Sequence, residues 1–266
     1  MEMVQERRVR QCPRCGFNDF YRLADGRKRC RKCRHRFTPQ TVRAAVRLPE
    51  RVRQRLLEGF VEGISVYRQQ AKVNASRPTI ERFQRLLRGC IALEQERRGY
   101  CVLGRDGIRL LPVDAPAPER PWWLLGEAVV FEILAADEGQ VKLRPADNGH
   151  WQQFIDEQCF TPLSDSVCYP LGKGHGLVVL YANNGQVVFR KPDEAGDRHT
   201  LPARFWSFAR LHLWRYRRVP LRYLHLHLAE VTVRFNDGTA CLSRQLHELL
   251  DSLSRDEVER IIRRVE

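Results

Sequence analysis

The stretch LRYLHLHLAEVTVRF, residues 221–235, satisfies two periodicities at once. Leu224, Leu226 and Leu228 alternate as on a half-buried strand, whereas Leu221, Leu224, Leu228, Val231 and Phe235 fall on one face of a helix. Periodicity alone leaves the two open, and the organisation of the C-terminal half turns on which is taken. His225 and His227, set between leucines, read as polar-face residues.

Immediately upstream, RHTLPARFWSFARLHLWRYRRVP (198–220) is the densest mixture of arginine and large aromatics in the chain. On a helical wheel Arg204, Arg210, Arg215, Arg217 and Arg218 share an arc of roughly 160°, with Phe205, Ala209, His212, Leu213 and Tyr216 opposite. This predicts an amphipathic helix with one face for a sheet and one for phosphates or a partner.

Further back lie strand candidates: GIRLLPVD (107–114), LLGEAVVFEIL (124–134), QVKLRPA (140–146) and SVCYPL (166–171). VVLYANNGQVVF (178–189) holds one strand or a hairpin around Asn184-Gly185, and HWQQFIDEQCF (150–160) is helical. Glu127 and Glu132 read as edge or face residues, and LGKGHG (171–176) as a flexible turn. This element order is that of a ribonuclease-H-like α/β layer, though many α/β proteins share it. Leu242 to Val265 reads as two charged helices.

The N-terminal part differs in character. Residues 11–37, QCPRCGFNDFYRLADGRKRCRKCRHRF, carry two CxxC knuckles, Cys12/Cys15 and Cys30/Cys33, around a short hairpin. Each knuckle aims two thiolates at one point, and two knuckles make the closed four-thiolate site of structural zinc. A segment this short builds no core of its own, so the metal must supply most of its folding energy. After a linker over 40–47, Val52, Leu56, Phe60 and Val61 mark a helix opened by Leu48-Pro49. Ser65 is placed to cap a second helix, and Thr79 to Leu87 forms a third with Pro78 in its first turn. Three short helices with Arg77, Arg82, Arg85 and Arg88 on the last suggest a helix-turn-helix.

Charge follows this division. Of a formal +14, residues 1–100 hold 25 Lys and Arg against 10 Asp and Glu, and the other 166 residues are close to neutral. A basic module beside a neutral one predicts a polyanionic partner, nucleic acid before an acidic membrane surface. No run of eighteen apolar residues occurs, and the N-terminus lacks the apolar core of a secretory signal. Of nine cysteines, five are scattered without spacing, which fits a reducing cytoplasm rather than a disulfide framework.

Taken together, these parts resemble an insertion-sequence transposase with an N-terminal zinc ribbon, a helix-turn-helix and a DDE core, over about residues 11–240. The pieces that carry the resemblance are His199-Thr200, Phe205-Trp206-Ser207, Arg210, Arg217 and Arg218, the leucine-rich run Leu224 to Leu228, and Arg234-Phe235-Asn236. Asp165-Ser166-Val167-Cys168-Tyr169 before Lys173-Gly174 adds to them. The resemblance implies that residues 221–235 are helical. It also implies three acidic or amide ligands for two magnesium ions roughly 4 Å apart. Asp114 stands in the first of those places, but Leu171 occupies the second and Ala203 the third, with Arg204 beside it. Asp165 and Asp193 are the acids nearest to a displaced set. Hard cations need an oxygen cage, so the resemblance here is to a transposase core without its chemistry.

The expected fold is multidomain: a small β zinc ribbon (1–40), a helical helix-turn-helix region (41–99), an α/β ribonuclease-H-like domain (100–240) and C-terminal helices (241–266). The expected function is that of a transposase-derived binder of double-stranded DNA, serving as regulator, targeting factor or adaptor. Zinc sits on Cys12, Cys15, Cys30 and Cys33, and Arg29, Arg31, Lys32, Arg34 and Arg36 join the arginines named above on the phosphates. An active DDE enzyme using magnesium, and a protein-docking module built on Trp122-Trp123 and Phe205-Trp206, are the competing functions. The expected setting is cytoplasmic and nucleoid-associated, with other proteins of a nucleoprotein complex or a second copy as further partners.

Overall fold

The computed structural model describes residues 12, 14–15, 17–23, 27–37, 48–103, 109–112, 127–157, 166–183, 185–189, 200–253 and 255–265. Asp114, Trp122-Trp123, Asp165, Asp193, His199 and the 40–47 linker lie outside them. Two compact units emerge, residues 1–90 with 243–266, and residues 91–242.

The first unit begins with β1 (Phe20–Arg22), β2 (Lys28–Cys30) and β3 (Arg36–Phe37), an antiparallel set in which Phe20 pairs with Cys30 and Arg29 with Arg36. The hairpin expected between the knuckles is therefore present.

Three helices follow. Helix α1 (Glu50–Val61) buries Leu56, Leu57 and Phe60. It ends before Gly63, whose φ of 71° is the left-handed stop that glycine takes without strain. Helix α2 (Val66–Gln70) is capped by Ser65, whose hydroxyl accepts from the Arg68 N–H. Helix α3 (Arg77–Arg97) starts at a Ser76 cap and runs ten residues beyond the expected Leu87. It continues because Cys90, Ile91 and Leu93 extend the buried row of Phe83, Leu86 and Leu87. Gly89 allows a close approach in this unit, since a Cβ there would meet Ile261 Cγ2 at 2.6 Å.

The second unit is built on an antiparallel sheet. The long strands β5 (Glu127–Ala135) and β8 (His175–Asn183) pair along their whole length. The far edge of β5 is shared by β4 (Arg109–Pro112) and β6 (Val141–Pro145). The far edge of β8 is shared by β7 (Ser166–Gly172) and β9 (Gln186–Val188), and β10 (Arg218–Pro220) extends β9. Every strand ladder among the described residues is antiparallel. LGKGHG forms the β7–β8 connection through a turn at Lys173-Gly174, as expected.

Each face of the sheet has its own cover. Helix α4 (Asn148–Asp156) packs Phe154 and Trp151 into a core with Ala128, Val130, Tyr169, Leu177 and Val179. On the opposite face lies α5 (Leu201–Leu213), where Trp206 meets Phe131 edge-on at 5.8 Å and donates its indole N–H to Ser166 Oγ at 3.3 Å. Phe205 is fully buried and Trp206 nearly so, which makes this pair core packing rather than a docking surface.

Residues 221–235 are helical: α6 (Leu221–Asn236) is buried continuously from Tyr223 to Arg234. A helix enclosed on all sides carries no single apolar face, which is why its periodicity was ambiguous. His225 and His227, expected on a polar face, are 3% and 8% exposed.

The expected 198–220 helix needs a second correction. α5 stops at Leu213, a 3-10 turn covers Trp214–Tyr216, Arg217 takes a left-handed φ of 58°, and the chain then enters β10. Arg217 and Arg218 are thus not on the helix that carries Arg204 and Arg210. Val219 pairs with Val187, and that strand pairing outcompetes helix continuation ahead of Pro220. The last two helices are α7 (Gly238–Ser252) and α8 (Arg255–Val265).

The run Arg234-Phe235-Asn236 closes the second unit. Arg234 pairs with Glu230, Phe235 stacks edge-on against Phe205 at 5.2 Å, and the Asn236 amide exchanges two 2.9 Å hydrogen bonds with the Val141 backbone. Asn236 thereby acts as one rung of a strand at the start of β6. Asn236→Ala is expected to cost about 1–3 kcal/mol, because the Val141 N–H loses its acceptor in a buried setting. Urea denaturation measures this; an unchanged midpoint would show that the rung is dispensable.

Candidate metal centre

The two knuckles bring all four predicted cysteines together. Cys12 Sγ lies 3.5 Å from Cys33 Sγ, and Cys15 Sγ lies 3.6 Å from Cys30 Sγ. All four sulfurs fall within 4.8 Å of one another. Tetrahedral zinc with Zn–S bonds near 2.3 Å puts its sulfurs about 3.8 Å apart, so the cluster is compatible with a structural zinc site. Disulfide bonding, at about 2.05 Å, is not what these distances describe.

Local backbone sets this geometry. The Cys12 carbonyl-side turn closes through Cys12 N–H to Phe17 O at 2.8 Å, and the second knuckle through Arg34 N–H to Cys30 O and Cys30 N–H to His35 O. Arg34 takes a left-handed φ of 58° to complete that turn. Cys12 and Cys30 are buried, with Phe20 packed against them. Burial opposes ionisation of Cys12, but backbone hydrogen bonds at Arg14 and Cys15 and the neighbouring thiols bring it down to about 7. Cys33 is pushed up to about 12: its backbone contact at His35 favours the thiolate, but burial and the other three cysteines outweigh it. Four thiols this close do not all ionise without a cation between them, and a zinc ion would supply one.

The cations proposed for phosphate contact fall into distinct environments. Arg31, Lys32, Arg34 and Arg36 are exposed on the ribbon and Arg29 is half-buried. Arg31 stacks over Tyr21 at 4.6 Å and reaches Asp19 at 3.2 Å, and Tyr21 is itself 53% exposed. Arg77 and Arg82 are exposed, with Arg77 bound to Glu81, and Arg85 is half-buried. Arg88 is a correction: it is 4% exposed with its guanidinium 5.3 Å over the Phe60 ring, so it packs the helices instead of facing solvent. Arg204, Arg215, Arg217 and Arg218 are exposed and Arg210 is half-buried.

Leu171 and Ala203, the places where the resemblance would put metal ligands, do not converge. Leu171 packs into the α4-side core, and Ala203 is buried on α5 against the other face of the sheet.

A polar cluster that the sequence did not announce lies on the α4 side. Glu132, expected at an edge or face, is fully buried in β5. Its Oε1 accepts from the Asp147 N–H and faces His150 Nδ1, both at 2.8 Å. Its Oε2 accepts from Arg144 Nε at 2.7 Å and faces His175 Nε2 at 2.9 Å. Burial works against the charge, but these four partners hold the carboxyl down at about 2. Register explains the convergence: Glu132 stands directly opposite Arg144 on β6 and diagonally across from His175, which pairs with Leu134.

No family model, curated protein or solved structure matches this chain. No helix among the described residues is long and apolar enough to cross a membrane.

Proposed function

We propose that this chain is a zinc-dependent binder of double-stranded DNA that lacks two-metal nuclease chemistry and serves as a regulator, targeting factor or adaptor. The observation that carries this reading is the four-cysteine cluster with Arg31, Lys32, Arg34 and Arg36 exposed around it. Zinc fixes the knuckles, and the knuckles hold the cations in a set spacing for phosphates. The exposed Tyr21, with Arg31 over its ring, adds a flat surface beside those charges. Arg77 and Arg82 on α3 extend the basic character beyond the ribbon, as the helix-turn-helix reading requires. The sequence resemblance to insertion-sequence transposases supports a transposase-derived origin. Leu171 and Ala203 offer no oxygen to a magnesium ion, which favours binding over cleavage.

Fluorescence anisotropy with a labelled duplex and zinc-loaded protein tests this. Affinity should fall by about 10³-fold or more between 50 and 200 mM salt if six or more phosphates are contacted. Lys32→Glu with Arg36→Glu should lower the logarithmic salt slope by about 2. Absence of binding by the zinc-loaded protein, or binding indifferent to salt, overturns the proposal. Tighter competition by RNA than by duplex DNA reassigns the polyanion.

A further inference from the structure

We propose that Glu132, His150 and His175 form a second metal site, suited to a borderline divalent cation such as Zn²⁺ or Ni²⁺. The site comes from three separate elements: β5, the first turn of α4, and the first residue of β8. Its three ligand atoms already lie within 4.8 Å of one another. The two imidazoles meet edge-on with centroids 4.9 Å apart, each turning one ring nitrogen to the carboxylate.

Charge balance alone does not require this arrangement. Arg144 neutralises the Glu132 carboxylate, and the Asp147 N–H occupies the other oxygen. Two converging imidazoles are therefore additional to what a buried carboxylate needs. Arg144 and Asp147 instead orient the two oxygens, as outer partners do around a metal-binding carboxylate. Nitrogen and oxygen ligands at 2.0–2.2 Å stand about 3.4 Å apart around tetrahedral zinc. The 2.8 and 2.9 Å carboxylate–imidazole distances need to open by about half an ångström to admit the ion, within reach of small side-chain rotations.

Access is one-sided. Glu132 is fully buried, whereas His150 and His175 are 34% and 21% exposed, so a cation enters from solvent past the imidazoles. Two histidines and one carboxylate leave at least one coordination position for water, in contrast to the closed four-thiolate ribbon. Imidazole and carboxylate suit zinc, nickel and cobalt, and the absence of sulfur from the set separates it chemically from the cysteine centre.

The test is calorimetric titration of the untagged full chain, its ribbon already zinc-loaded, with Ni²⁺. One further equivalent should bind. Loss of even an outer partner of a metal ligand typically costs about 10–100-fold in affinity, so His150→Ala and His175→Ala should each weaken the second equivalent at least that much. Ribbon zinc should stay unchanged in both. Both histidines are partly exposed, and retained far-UV circular dichroism confirms that each variant is folded; Glu132→Gln serves as a third variant. Uptake of no second equivalent by the wild-type chain, or equal uptake by the folded histidine variants, overturns the proposal. The ribbon's zinc content is read separately, so failure here leaves the cysteine centre standing.

Discussion

Cys30→Ser should unfold the four-cysteine hairpin module if zinc holds it, as proposed. Cys30 is fully buried, ends β2, and supplies both a ligand sulfur and the backbone groups of the second knuckle. Among the described residues, the apolar cluster around it consists of Cys12, Phe20 and Cys33. Structural zinc contributes about 10–16 kcal/mol to the folding of comparable small modules, more than so small a core can replace. A serine hydroxyl is a poor substitute for a thiolate, so the site drops to three good ligands. In the cobalt-substituted protein the sulfur-to-metal charge-transfer absorption should collapse, and amides of β1, β2 and β3 should lose protection from exchange. Amides of α6 should keep theirs, because the sheet unit has its own core. Survival of the thiolate absorption in this variant would falsify the four-ligand assignment. Duplex binding should fall with the ribbon if the proposed function holds.

The second large effect is expected in α6. Glu230→Ala should destabilise the sheet unit by about 3–5 kcal/mol, because it leaves a buried cation without its counter-charge. Glu230 Oε1 lies 2.8 Å from Arg234 Nη2 and 3.3 Å from His212 Nε2, and all three side chains are at most 7% exposed. Arg234 as a whole residue is only 8% exposed, so its guanidinium is poorly hydrated once the carboxylate is removed. The Glu132 cluster provides the comparison. Its arginine, Arg144, is 45% exposed and can turn into solvent when the carboxylate is removed. With no ion at Glu132, Glu132→Ala should therefore cost the stranded Asp147 N–H, the lost packing and the contacts of two partly exposed imidazoles, about 1–3 kcal/mol. Urea unfolding followed by tryptophan fluorescence ranks the two variants. Equal costs would mean that burial of the cation is not the deciding term. Replacing Glu230 and Arg234 together with leucine and methionine should recover much of the loss, since an apolar pair of similar volume needs no desolvation.

The features legible in the sequence are those written over a few consecutive residues. The CxxC spacing forces paired sulfurs whatever surrounds it. Ser65 declares a helix start because capping is a contact three residues long. Gly185, with φ of 68°, marks the β8–β9 turn, so of the two readings open for residues 178–189 the hairpin is the one the chain adopts. Helix α3 ran past its expected end for the opposite reason: what continues it is burial of Cys90, Ile91 and Leu93, which no local signal reports.

Glu132 shows the same limit at the level of a site. In the run AVVFEIL it is one acid among apolar residues, and its partners lie between 12 and 43 positions away. Only the registers of β6 and β8 against β5, with α4 laid over that face, bring Arg144, His175 and His150 to it. Arg88 is the converse, a cation that composition offers to solvent and packing turns inward onto Phe60. The amino-acid sequence by itself determined the four-cysteine centre, the basic N-terminal charge and the positions of the short-range caps and turns, because each depends on chemistry within one or two turns of chain. The helical state of residues 221–235, the end of α5 at Leu213 and the cluster around Glu132 were decided by tertiary structure, because each depends on which surfaces are enclosed and on groups brought together across the sheet.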